Sequence, residues 1–220
     1  PLKTKYPQGG EKQLINAVTG REVPSGGLPA DAGCIVHNAD TIVAIYRALL
    51  EGRPLMRRII TIAGGAVAHA TTFKVRIGTN VRELIEAAGG LTCTPSKVIC
   101  GGPMMGTALF SLDVPVVKGT SGILLFDEHQ DAVLEETACI RCGKCVAACP
   151  IHLMPMMLNQ FALERDWASF EKYHGMDCME CGSCAYICPA KRHLTQSFKA
   201  GKKIISAQRK KAAAQAAAGK

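Results

Sequence analysis

The sequence has 220 residues, 48% of them hydrophobic and 20% charged, with eleven cysteines and a formal net charge of +8. That size and composition build one large or two small folded domains and exclude wholesale disorder. The longest weakly charged stretch, Ile59 to Phe73, falls short of the roughly 20 apolar residues that cross a bilayer.

The chain opens on Pro1, with no secretory leader pattern after it, and reads as an internal piece of a longer protein. Residues 1–33 are rich in Gly, Pro and Lys and predict loops around one short helix, Glu11 to Val18. Residues 40–51 predict a second helix with Ile42, Val43, Tyr46, Leu49 and Leu50 on one face, a cap in Asn38 or Asp40, and Gly52 as its stop. The strands on which it would pack are mostly missing from the sequence.

From Arg58 the pattern turns to strands. RIITIAG, the Gly64-Gly65 turn signal and FKVRIG predict a hairpin, with Phe73, Val75 and Ile77 alternating to one face. A helix follows in which Asn80 caps, Glu83 completes a capping box, Val81, Leu84, Ile85 and Ala88 form the buried stripe, and Gly89-Gly90 ends it. With the strand KVICGG and short strands at 114–118 and 122–126, this order predicts a small β-grasp-like unit. GGPMMG and KGTSG match no phosphate-loop pattern and are loop or strand-end segments.

After Asp127 the chain becomes helical and rich in cysteine. Met157, Leu158, Phe161 and Leu163 recur near helical spacing, with Trp167 and Phe170 beyond, and form ordinary core. Past Phe198 the sequence is low in complexity and predicts a frayed helix or disorder. Residues 191–220 hold nine basic and no acidic side chains. Such a run is by default a solvated face, and it is also able to lie against an anionic surface.

Eight of the eleven cysteines fall within residues 139–188. Cys139, Cys142, Cys145 and Cys149, followed by Pro150, have the spacing C-x2-C-x2-C-x3-C-P, and Cys178, Cys181, Cys184 and Cys188, followed by Pro189, repeat it. This is the run that binds 4Fe-4S clusters, in which the fourth cysteine serves the other cluster. One cluster is therefore assigned to Cys139, Cys142, Cys145 and Cys188, and a second to Cys178, Cys181, Cys184 and Cys149. Zinc sites use paired C-x2-C ligands, four to a metal, and give no reason for a third cysteine and a proline in each run. Disulfides would require export. The 28-residue gap at 150–177 has room for one or two helices, which favours a helical double-cluster domain. Cys34, Cys93 and Cys100 are expected as buried thiols, and the six histidines show no metal or triad spacing.

Together KYPQGGEKQLINAVTGREVPSGGLPADAG, VHNADT, FKVRIGTNVRELIEAAGG, GGPMMG, DVPVVKGTSGILLF and the two cysteine runs resemble, in order, the C subunit of the bacterial Rnf electron transport complex. The resemblance implies an α+β chain divided into a flavin/NADH-binding remnant (1–56), a β-grasp-like, soluble-ligand-binding unit with following strands (57–130), a double 4Fe-4S ferredoxin-like domain (131–198) and a basic tail (199–220). It implies that a nucleotide-binding half precedes residue 1. It places Gly10, Glu11 and Lys12 on the nucleotide side and Asn38 with Thr41 in a flavin-contacting loop; a plain N-cap for Asn38 and a solvated acid for Glu11 are the alternatives.

The implied cofactors are two 4Fe-4S clusters, with FMN and NADH in the full-length protein. The implied partners are other membrane subunits and, indirectly, ferredoxin, with no nucleic acid. The implied location is the cytoplasmic face of the bacterial inner membrane, peripheral, the tail meeting anionic lipid. The expected role is electron transfer within an ion-translocating redox complex, without a catalytic residue in this piece. The competing reading is a soluble ferredoxin-like adaptor of a dehydrogenase or hydrogenase. A zinc-stabilised domain with a nucleic-acid-binding tail is the third.

Overall fold

The computed structural model describes residues 1–129 and 135–218, and the chain divides into two compact units. One comprises Pro1–Val36 with Leu134–Lys220, the other His37–Val133. The fold class is α+β, as expected.

In the second unit, helix α2 (Ala39–Leu50) begins at Asn38, whose side chain accepts a hydrogen bond from Asp40 N at 2.9 Å. Its apolar face is exposed throughout, and none of its residues is buried. Strands β1 (Arg57–Ala63), β2 (Thr71–Arg76), β3 (Lys97–Cys100), β4 (Thr107–Ala108) and β5 (Gly122–Phe126) form one sheet in the order β2-β1-β5-β3-β4. All pairs are antiparallel except β1 with β5, where Ile62 faces Ile123 in a parallel ladder. An antiparallel hairpin, a crossing helix and a last strand returning parallel to the first make the expected β-grasp arrangement.

Strict alternation drives the packing. Ile60 and Ile62 of β1 point inward while Ile59 and Thr61 face out. The inward set meets Val81, Leu84 and Ile85 of α3 (Val81–Ala87), with Ile123 and Leu125 of β5 completing the core. Gly64 ends β1 at φ 127°, where a Cβ would fall on the Leu125 carbonyl, so only glycine fits there.

Three local expectations are corrected here. Asn80 Oδ1 accepts the capping bond from Arg82 N at 2.8 Å, and the Asn80 backbone bridges to Pro115 in the loop after β4; no box closes on Glu83. Residues 114–118 form no strand, but they lay Val116 into the core. Cys34 and Cys100 are half-buried and Cys93 is exposed, so none of the three is a buried thiol.

In the first unit, α1 (Glu11–Thr19) ends on Gly20 in the left-handed conformation. The C-terminal part is helical: α4 (Lys144–Ala147), α5 (Pro155–Glu164), α6 (Trp167–Lys172), α7 (Ser183–Ile187) and α8 (Leu194–Ala218). Its core is Leu158, Phe170, Leu194, Phe198 and Ile205, with Phe170 and Phe198 tilted at a centroid distance of 6.3 Å. The apolar run splits at Arg165, which turns left-handed at φ 58°, and Asp166 then caps α6 through Ser169 N. Leu163 lies outside the stripe and is exposed. The end of the chain is a helix through Ala218, and its first three turns are core rather than tail.

Candidate iron-sulfur centres

The two cysteine runs fold alike. Arg141 and Glu180 each stand before a run's second cysteine with φ of 55° and 58°, Gly143 and Gly182 follow it at 74° and 83°, and His152 and Lys191 lie three residues beyond the fourth at 55° and 52°. Left-handed residues at matched places tighten each loop enough for three thiols to surround one hollow. From that glycine a short helix starts, α4 after Gly143 and α7 after Gly182, and the two helices pack on each other. At about 1.5 Å per residue, four residues carry the fourth cysteine roughly 6 Å from the third. It thereby leaves its own loop for the other one.

Two cavities result. Cys139, Cys142, Cys145 and Cys188 line one, together with Met156, Asn159 and Arg192. Cys149, Cys178, Cys181 and Cys184 line the other, under Thr195 and Phe198 of α8. The four-and-four division with exchanged fourth cysteines is the one expected from spacing. Crossing is pinned on the first cavity by Thr137 N, which donates to Ala190 O at 3.0 Å, and by the Glu136–Arg192 ion pair at 2.9 Å. These bonds tie the strand entering the first run to the chain leaving the second.

The donor chemistry fits a polynuclear cluster. All eight sulfurs belong to free cysteines. Four cysteines line each hollow. Four cysteine thiols at each hollow are the donor set that a 4Fe-4S cubane takes.

Burial sets the electrostatics. Desolvation pushes the Cys184 thiol up to about 12, against a weak opposing contact from Thr195. Burial also raises Cys178 and Cys145, opposed at Cys178 by Glu180 N–H and Lys202 and at Cys145 by the N–H groups of Met156 and Val146. Backbone donors reach the sulfurs directly, Glu180 N to Cys178 Sγ at 3.4 Å and Leu153 N to Cys149 Sγ at 3.3 Å. Such donors favour the thiolate and spread its charge when a cluster is bound.

Sequence reasoning did not reach the supports of the second cavity. Lys202, read as part of a solvated tail, donates to Cys178 O at 2.7 Å and pairs with Glu180 at 2.8 Å. Tyr6 OH donates to Cys181 O at 2.6 Å, Ser25 Oγ to Asp177 Oδ2 at 2.6 Å, and Gly10 lies under the Met179 methyl where a side chain would collide. Contacts across more than 150 residues leave no mark in spacing. The spacing of Lys202 from Phe198, one helical turn on the same side of a helix, was the single readable signal.

The remaining expected positions divide between the units. Gly10, Glu11 and Lys12 form the start of α1 in the first unit, Lys12 Nζ donating to Pro24 O at 3.5 Å. Asn38 and Thr41 form the start of α2 in the second, where Asn38 is an N-cap. A groove of about 650 Å³ beside α2 carries Arg47, Arg53, Arg57, Arg58 and Lys74 on its walls and none of the cysteines.

Comparison with known proteins gives three family matches along the chain. Residues 1–47 match the Nuo51 FMN-binding domain family, residues 59–108 the SLBB domain and residues 138–192 the 4Fe-4S dicluster domain. The chain is 50% identical to the C subunit of the Na(+)-translocating ferredoxin:NAD(+) oxidoreductase complex of Acetobacterium woodii, over 96% of its own length and 47% of that relative. It is 48% identical to the C subunit of the proton-translocating ferredoxin:NAD(+) oxidoreductase complex of Clostridium ljungdahlii, over 89% of itself and 43% of the relative. With the C subunit of the ion-translocating oxidoreductase complex of Pseudomonas aeruginosa it shares 44% identity over 96% and 27%. The chain thus spans about half, or less, of the length of the curated relatives it matches. No helix among the described residues is long and apolar enough to cross a membrane.

Proposed function

We propose, from the premise that this chain is homologous over nearly all of its length to the C subunit of ion-translocating ferredoxin:NAD(+) oxidoreductase complexes, that it carries electrons singly between a flavin-side entrance and its protein partners. The observation that carries this reading is the pair of cavities, each lined by four cysteines and each borrowing one from the other's run. Two 4Fe-4S clusters would sit there, each cycling by one electron. Cys139, Cys142, Cys145 and Cys188 would hold one and Cys178, Cys181, Cys184 and Cys149 the other. The protein's part is to hold the thiols in place, to bury those of the second site more fully than those of the first, and to keep the two sites against each other through α4 and α7.

The flavin-side positions Gly10, Glu11, Lys12, Asn38 and Thr41 belong to the same reading, with FMN and NADH bound by the full-length protein. So do the division into flavin, β-grasp and cluster domains, the assembly with other membrane subunits, and a peripheral place on the inner membrane. Beyond Ile205, Lys210 and Lys211 are the basic residues left, among those described, to meet anionic lipid, since Phe198, Lys202 and Ile205 are engaged in the fold and Arg209 pairs with Glu171 at 3.1 Å. This chain by itself is not the complete entry port. Reconstituted anaerobically, it should contain about eight irons and eight sulfides and give paired 4Fe-4S signals after dithionite. NADH should leave those signals silent. Rapid reduction by NADH would show residues 1–130 to be a complete entrance and overturn that part of the reading.

A further inference from the structure

The two cysteine loops share a backbone and differ in what surrounds them. The loop of Cys178–Cys184 is closed over: its cysteines are buried or half-buried, Glu180 is neutralised by Lys202, and Tyr6, Gly10 and Ser25 press against Cys181, Met179 and Asp177. The cover is drawn from the segment that matches the FMN-binding domain family. The loop of Cys139–Cys145 is open. Cys139 and Cys142 are exposed, and Ile140, between them, is 68% exposed.

Charge follows the same division. Where the covered loop has Met179, Glu180 and Ser183, the open loop has Ile140, Arg141 and Lys144. Arg141, Lys144 and the nearby Lys191 are all exposed, and none has an ion-pair partner among the described residues. Of the two acids before Cys139, Glu136 is held by Arg192 at 2.9 Å, with His193 at 3.9 Å, and Glu135 is exposed. Ile140 and Arg141 line the first cavity, and exposed Lys144 and Lys191 lie close to its cysteines in sequence.

We infer that the cavity of Cys139, Cys142, Cys145 and Cys188 is the outward electron port of this chain, and that its rim docks an acidic one-electron carrier protein through Ile140, Arg141, Lys144 and Lys191. The inference rests on the two-cluster reading above. Electron tunnelling falls steeply with distance, so the centre with exposed ligands is the one a second protein can approach. A cationic rim steers an anionic face to it and raises the encounter rate at low salt. Each encounter moves one electron, the carrier losing what the cluster gains or the reverse, and no atom or proton changes hands. The covered cavity is then the inward port, beside the flavin-side segment.

The test is binding between the oxidised, cluster-loaded chain and an acidic plant-type 2Fe-2S ferredoxin, with basic cytochrome c as the control probe. The variant is Arg141→Glu with Lys144→Ser, which places at both positions the residues that the other loop carries, Glu180 at a matching φ and Ser183 at the matching start of its helix. A second variant, a chain shortened by residues 210–220, removes the competing basic tail. We expect the ferredoxin to bind at low ionic strength and to dissociate with salt, the double variant to weaken it by about tenfold or more, and the shortened chain to bind within about twofold of the parent. Failure of the parent to bind the ferredoxin, equal binding by cytochrome c, or loss on shortening but not in the double variant would each overturn the port. Iron, sulfide and EPR measured on every sample separate the two levels: absence of two clusters in the parent sinks the underlying reading, whereas intact clusters with unchanged binding sink only this inference.

Discussion

At the scale of the residue, the cysteines show how burial and chemistry are set against each other. Cys184 is 8% exposed, and desolvation holds its thiol up to about 12 from an ordinary 9.0. A raised thiol pKa favours the folded apo chain fully below 9.0 and loses that contribution as the pH climbs toward about 12, because the unfolded chain ionises first. In the apo chain, stability should therefore fall between these values, with at most about 1.4 kcal/mol per pH unit from this thiol. Urea unfolding followed through Trp167, the sole tryptophan, at pH 8 and pH 10 measures it, and Cys184→Ala should show the smaller drop. An equal drop in the variant would place the effect elsewhere. Cluster binding reverses the relation, since the ligand is the thiolate and the buried proton must leave.

At the scale of the element, capping and close approach decide more than propensity. Asn80 starts α3 through one bond to Arg82 N, and Asn80→Ala should cost about 1 kcal/mol. Gly64→Ala should cost about 3 kcal/mol, because its Cβ would strike the Leu125 carbonyl at the point where β1 meets β5. Hydrogen exchange of the β1 and β5 amides reads both, and comparable losses in the two variants would contradict the steric argument. The Arg82–Asp113 pair is bidentate at 2.8 Å yet exposed, and such pairs add little to stability. α2 stands apart from these elements: its stripe of Ile42, Val43, Tyr46, Leu49 and Leu50 is amphipathic by sequence and uncovered in the second unit.

At the scale of the whole molecule, each cavity is lined by three cysteines of one run and the fourth of the other. Cys188→Ser should produce the same defect as Cys139→Ser, and Cys149→Ser the same as Cys178→Ser, although the paired residues lie in different runs. EPR after dithionite, with iron counted per chain, distinguishes the pairs. If Cys149→Ser matched Cys139→Ser instead, each run would be serving its own cluster and the crossed assignment would be wrong. α8 belongs to this scale as well, because Phe198 and Thr195 roof one cavity and Lys202 fastens its loop.

The spacing of the cysteine runs was enough to group the eight cysteines as they line the two cavities, because a short helix after each loop carries the fourth cysteine away from its own run. Alternation at Phe73 and Val75 and the stripe Val81, Leu84, Ile85 and Ala88 were likewise enough to place those side chains on the β-grasp core, since period-two and period-3.6 patterns each bury one face. Local pattern failed where a long-range contact set the outcome. Residues 114–118 serve the core as a bridge to Asn80, Cys100 is only half-buried, and the supposed tail carries Ile205 and Lys202 into the fold. Only tertiary structure decided that the segment around Tyr6 and Gly10 covers one cysteine loop and leaves the other open. That asymmetry arises between residues some 170 apart, and no periodicity encodes a contact over such a distance.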